Sequence, residues 1–274
     1  MTLINKPMKK ILFFVVLITF SIIGSQAQTL TKDEGVVIKV MSYNIHHGNP
    51  PSVANKIDLA AIASVIKKAS PDLVALQEVD VHTTRSGKDV HEAKQLAELT
   101  GMHYYFFKSI DVYDGAYGNA ILSRYPIVHA EGHILPMKSG LAGEQRSVAI
   151  IKIEPVSGKT VLFASTHLDL KKPHREIQAT ALVDLFKDRV APVVLCGDFN
   201  DVEGSVPLTI LDKGFERTCS GQECPGTIPV DSPKRTIDFI MYHPKTSMRV
   251  KSSAVIAETY ASDHRPVLAE LYIK

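Results

Sequence analysis

Three observations predict an α/β (α+β) fold of packed β-sheets flanked by helices. Short apolar runs of strand length outnumber helical patterns by about three to one. The three helical patterns fall between strands rather than gathering at one end. No repeat, low-complexity segment or linker divides the chain, and 45% hydrophobic content supports one sizeable core.

Taken in order, Val36 to Ile45 reads as a first strand. Leu59, Ile62, Val65 and Ile66 keep helical spacing until Pro71, after which Leu73-Val74-Ala75-Leu76 forms a buried strand leading to Gln77-Glu78. A second helix is expected from Asp89 to Thr100, stopped by Gly101, and a third from His174 to Val190, stopped by Pro192. Tyr104 to Phe107 reads as a packed strand, and its aromatic rings would also suit stacking on a base or sugar. Ala120 to Leu122, Ser147 to Ile153, Thr160 to Ser165, Val193 to Cys196, Ile237 to Tyr242 and Pro266 to Tyr272 supply the remaining strands.

The N-terminus has the layout of an export signal. Met8-Lys9-Lys10 precedes the apolar run Ile11 to Gly24, and Ser25-Gln26-Ala27 places small residues where a signal peptidase reads. We therefore expect residues 1–27 to be a signal peptide, 28–35 a lead-in and 36–274 one domain, with Sec-dependent delivery to the periplasm or beyond. The apolar run is 14 residues, short for a bilayer span. Met8 is the more natural start. Removing residues 1–27 takes away Lys6, Lys9 and Lys10 and no acid, so Lys plus Arg falls from 31 to 28 against 29 Asp plus Glu. A mature charge of about −1 argues against a protein whose main task is gripping a nucleic-acid backbone.

Of the three cysteines, Cys219 and Cys224 lie in the Gly- and Pro-containing stretch TCSGQECPG and suit a small disulfide loop. Cys196 sits in the apolar run VVLCG and reads as a buried hydrophobe.

Polar residues recur where strands meet loops. Asn44 ends the first strand, Glu78 the second, Asn119 opens GNAILS, His167 follows VLFAST, Asp198 and Asn200 follow VVLC, Asp238 lies in TIDFI, and Asp263-His264 precede the last strand. Polar groups at one end of several buried strands converge in space and build a site. Carboxylates, carboxamides and imidazoles together suit divalent-cation and proton chemistry on a phosphoester.

The ordered set SYNIHHG, LQEVD, YGNAILSR, STHLD, GDFND, TIDFI and SDHRPV resembles the endonuclease/exonuclease/phosphatase (DNase I-like) superfamily. The resemblance covers Val36 to Ile273 and implies a four-layered αββα sandwich, two mixed sheets flanked by helices. It implies Glu78, Asn44 and Asp263 as ligands of Mg²⁺, with Mn²⁺ an alternative. It also implies that Asp198 and Asn200 orient water, that His264 pairs with Asp238, and that His167 and Asn119 donate to phosphate oxygens. Whether Asp198 or His264 takes the proton stays open at this level. Arg85, Arg146 and His46 are candidates for substrate contact, the alternatives being an exposed Arg in a solvated turn and, for His46, a residue that only caps its loop.

Substrate is less sharply indicated. The mature charge disfavours a non-specific nuclease, and the absence of Trp disfavours a membrane-inserting sphingomyelinase. The expected protein is a monomeric phosphodiesterase or phosphatase on a small or lipid-derived phosphoester, with a nuclease as the alternative and a catalytically inactive binding module a third reading.

Overall fold

The structure, a computed structural model, describes residue 2 and residues 35–274. The expected signal peptide, the choice between Met1 and Met8, and the lead-in up to residue 34 lie outside the described residues, apart from residue 2.

Two six-stranded sheets form the interior. The first contains β1 (Val36–Asn44), β2 (Leu73–Val81), β3 (His103–Val112), β4 (Gly115–Ser123), β11 (Met248–Val255) and β12 (Val267–Ile273), in the order β11-β12-β1-β2-β4-β3. The second contains β5 (His129–Ile134), β6 (Ser147–Val156), β7 (Lys159–His167), β8 (Val193–Asp198), β9 (Glu216–Arg217) and β10 (Asp238–His243), in the order β5-β6-β7-β8-β10-β9. Both are mixed, with β1 parallel to β2 and β7 parallel to β8.

Their inner faces share one core. Ile38, Val40 and Leu271 of the first sheet pack with Ile151, Phe163 and Val194 of the second. α1 (Leu59–Ala69) and α2 (Glu92–Thr100) cover the outer face of the first sheet through Ile62, Ile66, Leu96 and Ala97. α3 (Lys172–Phe186) and α4 (Val206–Gly214) cover the second through Leu182, Phe186, Leu208 and Leu211. The result is the αββα sandwich.

Local chemistry sets the helix ends. Asp58 caps α1 by accepting from the Ala61 N–H at 3.1 Å, and Ser70 closes it in the left-handed region. Helix α2 begins at Glu92, three residues later than its sequence pattern suggests, because His91 bridges to Val81 as short β-structure. Helix α3 starts earlier, with Pro173 in its first turn, and ends at Phe186 rather than Val190. Cys219 and Cys224 are joined as a disulfide, and Cys196 is buried in the shared core.

Candidate active site

The parallel pairs bring the C-terminal ends of β1, β2, β7 and β8 to one edge. Asn44 lies opposite Gln77 in register, His167 opposite Asp198, and Asp238 opposite Asp198 from the other side. Three residues that are distant in sequence thus become neighbours through strand pairing alone.

Asn44 joins the two sheets. Its carboxamide Nδ2 donates to Glu78 Oε1 at 3.0 Å and to Asp198 Oδ2 at 3.1 Å. Ser262, fully buried, donates to the Asn44 carbonyl at 2.7 Å and accepts from the His264 N–H at 3.3 Å. The last loop is thereby fastened to the end of β1. Sequence reasoning assigned no role to Ser262, although it stands in the SDH string beside two predicted site residues.

Glu78 sits where the β2–β4 register shifts, between Leu76 and Val79, with φ of 58°. Such a bulge re-aims a side chain out of the strand's alternation. Burial pushes the Glu78 carboxyl upward in pKa, but the His47 imidazole, the Asn44 amide and the His264 imidazolium outweigh it and hold it well below the usual carboxylate range.

Asp238, His264 and Asp198 form a second group. His264 Nδ1 donates to Asp238 Oδ2 at 2.9 Å, and its Nε2 lies 3.8 Å from Asp198 Oδ2. Burial alone would lower the His264 pKa; the Asp238 carboxylate overcomes this, and the imidazole is pushed up to about 10. Asp198 is pushed up to about 7, first by burial and then by Asp238, against the pull of His264, the Asn200 N–H and Asn44. That N–H reaches Asp198 Oδ1 at 2.9 Å from a residue with φ of 52°.

His167 closes the arrangement. Arg146 Nη1 lies 3.1 Å from His167 Nδ1, and the Asn200 amino group lies on the other side of the ring, so a donor faces each ring nitrogen. His167 Nε2 lies 2.9 Å from Asn200 Nδ2, which also donates to the Leu168 carbonyl, and 3.5 Å from Asp198 Oδ2. Burial, reinforced by Arg146, holds the His167 pKa well below its ordinary value, so the ring is neutral.

The other predicted residues are placed differently. Asn119 is buried on β4 with its Nδ2 donating to the Ser147 carbonyl at 3.0 Å. Arg146 is 5% exposed and also pairs with Glu144 at 2.9 Å, which puts it against His167 rather than in an open loop. Arg85 forks onto buried Asp80 through Nε at 2.7 Å and Nη2 at 2.8 Å. His46 donates from Nδ1 to the Asn49 carbonyl at 2.9 Å, or accepts nothing there, since a carbonyl cannot donate. Asp263 is half-buried beside a cleft of about 340 Å³ lined in part by Pro51, Ile228, Pro229 and Val230. It stands outside both of the compact ligand-type clusters, His46-His47-Glu78 and Asp198-Asp238-His264.

A divalent cation fits the Glu78 end. The carboxylate is held ionised, its Oε2 meets no closer partner than His47 Nδ1 at 4.0 Å, and that nitrogen is buried without a hydrogen bond. An ionised carboxylate oxygen and an imidazole nitrogen this close can both ligate a divalent cation.

A two-sheet sandwich with acid, amide and imidazole groups at one edge suits divalent-cation and proton chemistry on a phosphoester. Residues 41–264 match the Endonuclease/Exonuclease/phosphatase family, and the chain belongs to it. Members of this family are hydrolases acting on phosphoesters. The chain is 28% identical over 249 residues to the uncharacterized protein YbhP of Escherichia coli K12, covering 86% of this chain and 96% of that one. It is similar in fold to an endonuclease/exonuclease/phosphatase from Beutenbergia cavernae, at TM-score 0.74, 24% identity and coverage of 86% and 72%. A mannosyl-6-phosphatase from Bacteroides thetaiotaomicron superposes at TM-score 0.69 with 23% identity, over 85% and 99% of the two chains.

Proposed function

We propose that this protein is an exported, monomeric, divalent-metal-dependent phosphoesterase that hydrolyses a small or lipid-derived phosphoester by in-line attack of water. The observation that carries this reading is the Asn44 carboxamide, which binds Glu78 and Asp198 at once and so sets a cation-type carboxylate beside a proton-handling one.

Glu78 would hold Mg²⁺ or Mn²⁺, with the Asn44 amino group positioning its carboxylate and Asp263 as a further carboxylate ligand supplied by the last loop. The cation, when bound, neutralises charge that develops on the phosphoryl oxygens. Asp198 and Asn200 orient the attacking water, whose proton passes to the Asp198–His264 pair. Asp238 fixes the His264 ring by accepting its Nδ1–H. His167, held between Arg146 and Asn200, would donate to a phosphate oxygen as charge accumulates there, once its Nε2 turns from the Asn200 amino group to the phosphate. The cleft beside Asp263, about 340 Å³ with Pro, Ile and Val in its wall, suits the alcohol part of a small ester.

A substrate panel tests the proposal: bis-p-nitrophenyl phosphate, p-nitrophenyl phosphate, plasmid DNA, sphingomyelin and phosphoinositides, each with Mg²⁺ or Mn²⁺ and with a chelator. Turnover of a small or lipid phosphoester that the chelator abolishes supports it. Cleavage of plasmid DNA alone would make the protein a nuclease, and turnover untouched by chelation would remove the cation from the mechanism.

A further inference from the structure

His46, His47 and Glu78 place one ligand-type atom each within 4.8 Å of one another. Their backbone is unusual. His46, His47 and Gly48 are consecutive left-handed residues at φ of 47°, 43° and 67°, and Glu78 faces them from its bulge at 58°. Non-glycine residues in this region cost about 1 kcal/mol or more each, and they persist where the surroundings over-determine them. The short 3-10 turn His46–Gly48 is pinned by the His46 N–H on Asn44 Oδ1 at 3.0 Å and by the Asp58 N–H on the Gly48 carbonyl at 2.7 Å. Gly48 suits its left-handed φ of 67°, and a Cβ there would also press on Leu59 Cδ2 at 2.8 Å.

One ring is already prepared as a nitrogen donor, and the other has an uncommitted nitrogen. His46 directs Nδ1 to the Asn49 carbonyl at 2.9 Å, so that nitrogen carries the proton and Nε2 keeps a free lone pair. A backbone carbonyl holding one ring nitrogen is the usual outer partner of a metal-bound histidine. His47 Nδ1 is buried, has no hydrogen bond, and lies 4.0 Å from Glu78 Oε2. That separation is too long for a hydrogen bond. Two atoms each about 2.1 Å from a shared ion lie between about 3.0 and 4.2 Å apart, depending on the angle at the ion.

We propose that His47, with His46 behind it, adds imidazole nitrogen to the Glu78 cation site and makes the site select a first-row transition ion over Mg²⁺. Imidazole suits Zn²⁺ and the later first-row ions, whereas Mg²⁺ and Mn²⁺ keep to carboxylate, carbonyl and water. This rests on the proposed cation site at Glu78, but not on any particular substrate.

The test is metal binding by calorimetry on the metal-free protein, together with the visible absorption of bound Co²⁺. The wild type is expected to bind Co²⁺ and Zn²⁺ at least tenfold more tightly than Mg²⁺. His47→Gly, which suits the left-handed backbone, should lose tenfold or more in Co²⁺ and Zn²⁺ affinity, keep its Mg²⁺ affinity within about twofold, and shift the Co²⁺ absorption. His47→Asn, also tolerant of that backbone, is the second variant, and an unaltered melting temperature in either shows that it folds. Equal loss for all ions, or no change in the Co²⁺ spectrum, would overturn the assignment of nitrogen ligation. If Glu78→Gln abolishes binding of every ion while no panel substrate is turned over by the wild type, the cation site stands and the phosphoesterase reading fails. If Glu78→Gln leaves binding unchanged, the ions are held elsewhere and this proposal falls with the site.

Discussion

Glu78 and the Asp238–His264 pair show how little room a single side chain has at this edge. Glu78→Gln keeps size and the Asn44 contact but removes the charge a cation needs. Its turnover is expected to fall 100-fold or more at saturating substrate, in steady-state assays over a range of added metal. Full wild-type turnover in the variant would count against Glu78 as the cation carboxylate. Asp238→Asn leaves His264 without its acceptor carboxylate, so the ring loses both its orientation and the influence that pushes its pKa up. A 10- to 1,000-fold drop, on the order seen when a general acid or base is disturbed, is expected in kcat with a smaller change in KM. Arg85 belongs to a different account. Its guanidinium forks onto Asp80, which also accepts from Thr83 at 2.7 Å and Ser86 at 2.6 Å, so it orders the loop after β2. Arg85→Ala should cost roughly 2–3 kcal/mol in urea unfolding, because a buried carboxylate loses its charged partner. Unchanged stability with a large rise in KM would instead return Arg85 to the substrate.

Among the elements, α2 carries a pH-dependent cost in its first turn. Glu92 is fully buried, and its Oε2 accepts from the Asp80 N–H at 2.7 Å. Burial, opposed by that N–H and aided by the Asp80 charge, raises its pKa well above 4.5. A carboxyl raised in the folded state adds its full stability below about 4.5 and loses it as pH climbs through the folded value. Glu92→Gln removes the ionisation. The variant is expected to match the wild type near pH 4 and to exceed it near pH 8 by an amount on the order of 1–3 kcal/mol, read from urea melts at the two values. A difference that does not change with pH would show that Glu92 is not neutral in the fold. The elements hardest to see in sequence are also the most exposed or the shortest. β5 and β11 are polar and half-buried, and α4 carries Pro207 in its first turn, which resembles a break until the helix behind it is seen.

At the scale of the molecule, the site depends on two sheets holding their mutual register. Phe163 is fully buried between them, with Ile151 and Val194 in the same core. Phe163→Ala is expected to cost about 3–5 kcal/mol of unfolding free energy, a large share of the 5–15 kcal/mol typical of a domain. Urea denaturation measures it, and a loss below about 1 kcal/mol would mean that the sheets pack without this ring. Among the described residues no helix is long and apolar enough to cross a membrane.

Much of this fold was legible because strand and helix periodicities are local properties of the chain. Val36 to Asn44, Leu73 to Val81 and Val193 to Asp198 announce themselves by apolar content, and the polar residue at or near each strand's end marks the site edge. What the chain alone could not determine is how those ends meet. Parallel pairing sets His167 against Asp198, a bulge turns Glu78 out of its strand, and one carboxamide, Asn44, ties the sheets together. The same holds for orientation. Arg85 and Arg146 look alike as loop cations, yet one is folded onto Asp80 and the other is buried against His167. Residue identity and periodicity set the strands and the chemistry available at their ends; contacts between groups many residues apart set the roles, because distance and desolvation exist only in the folded chain.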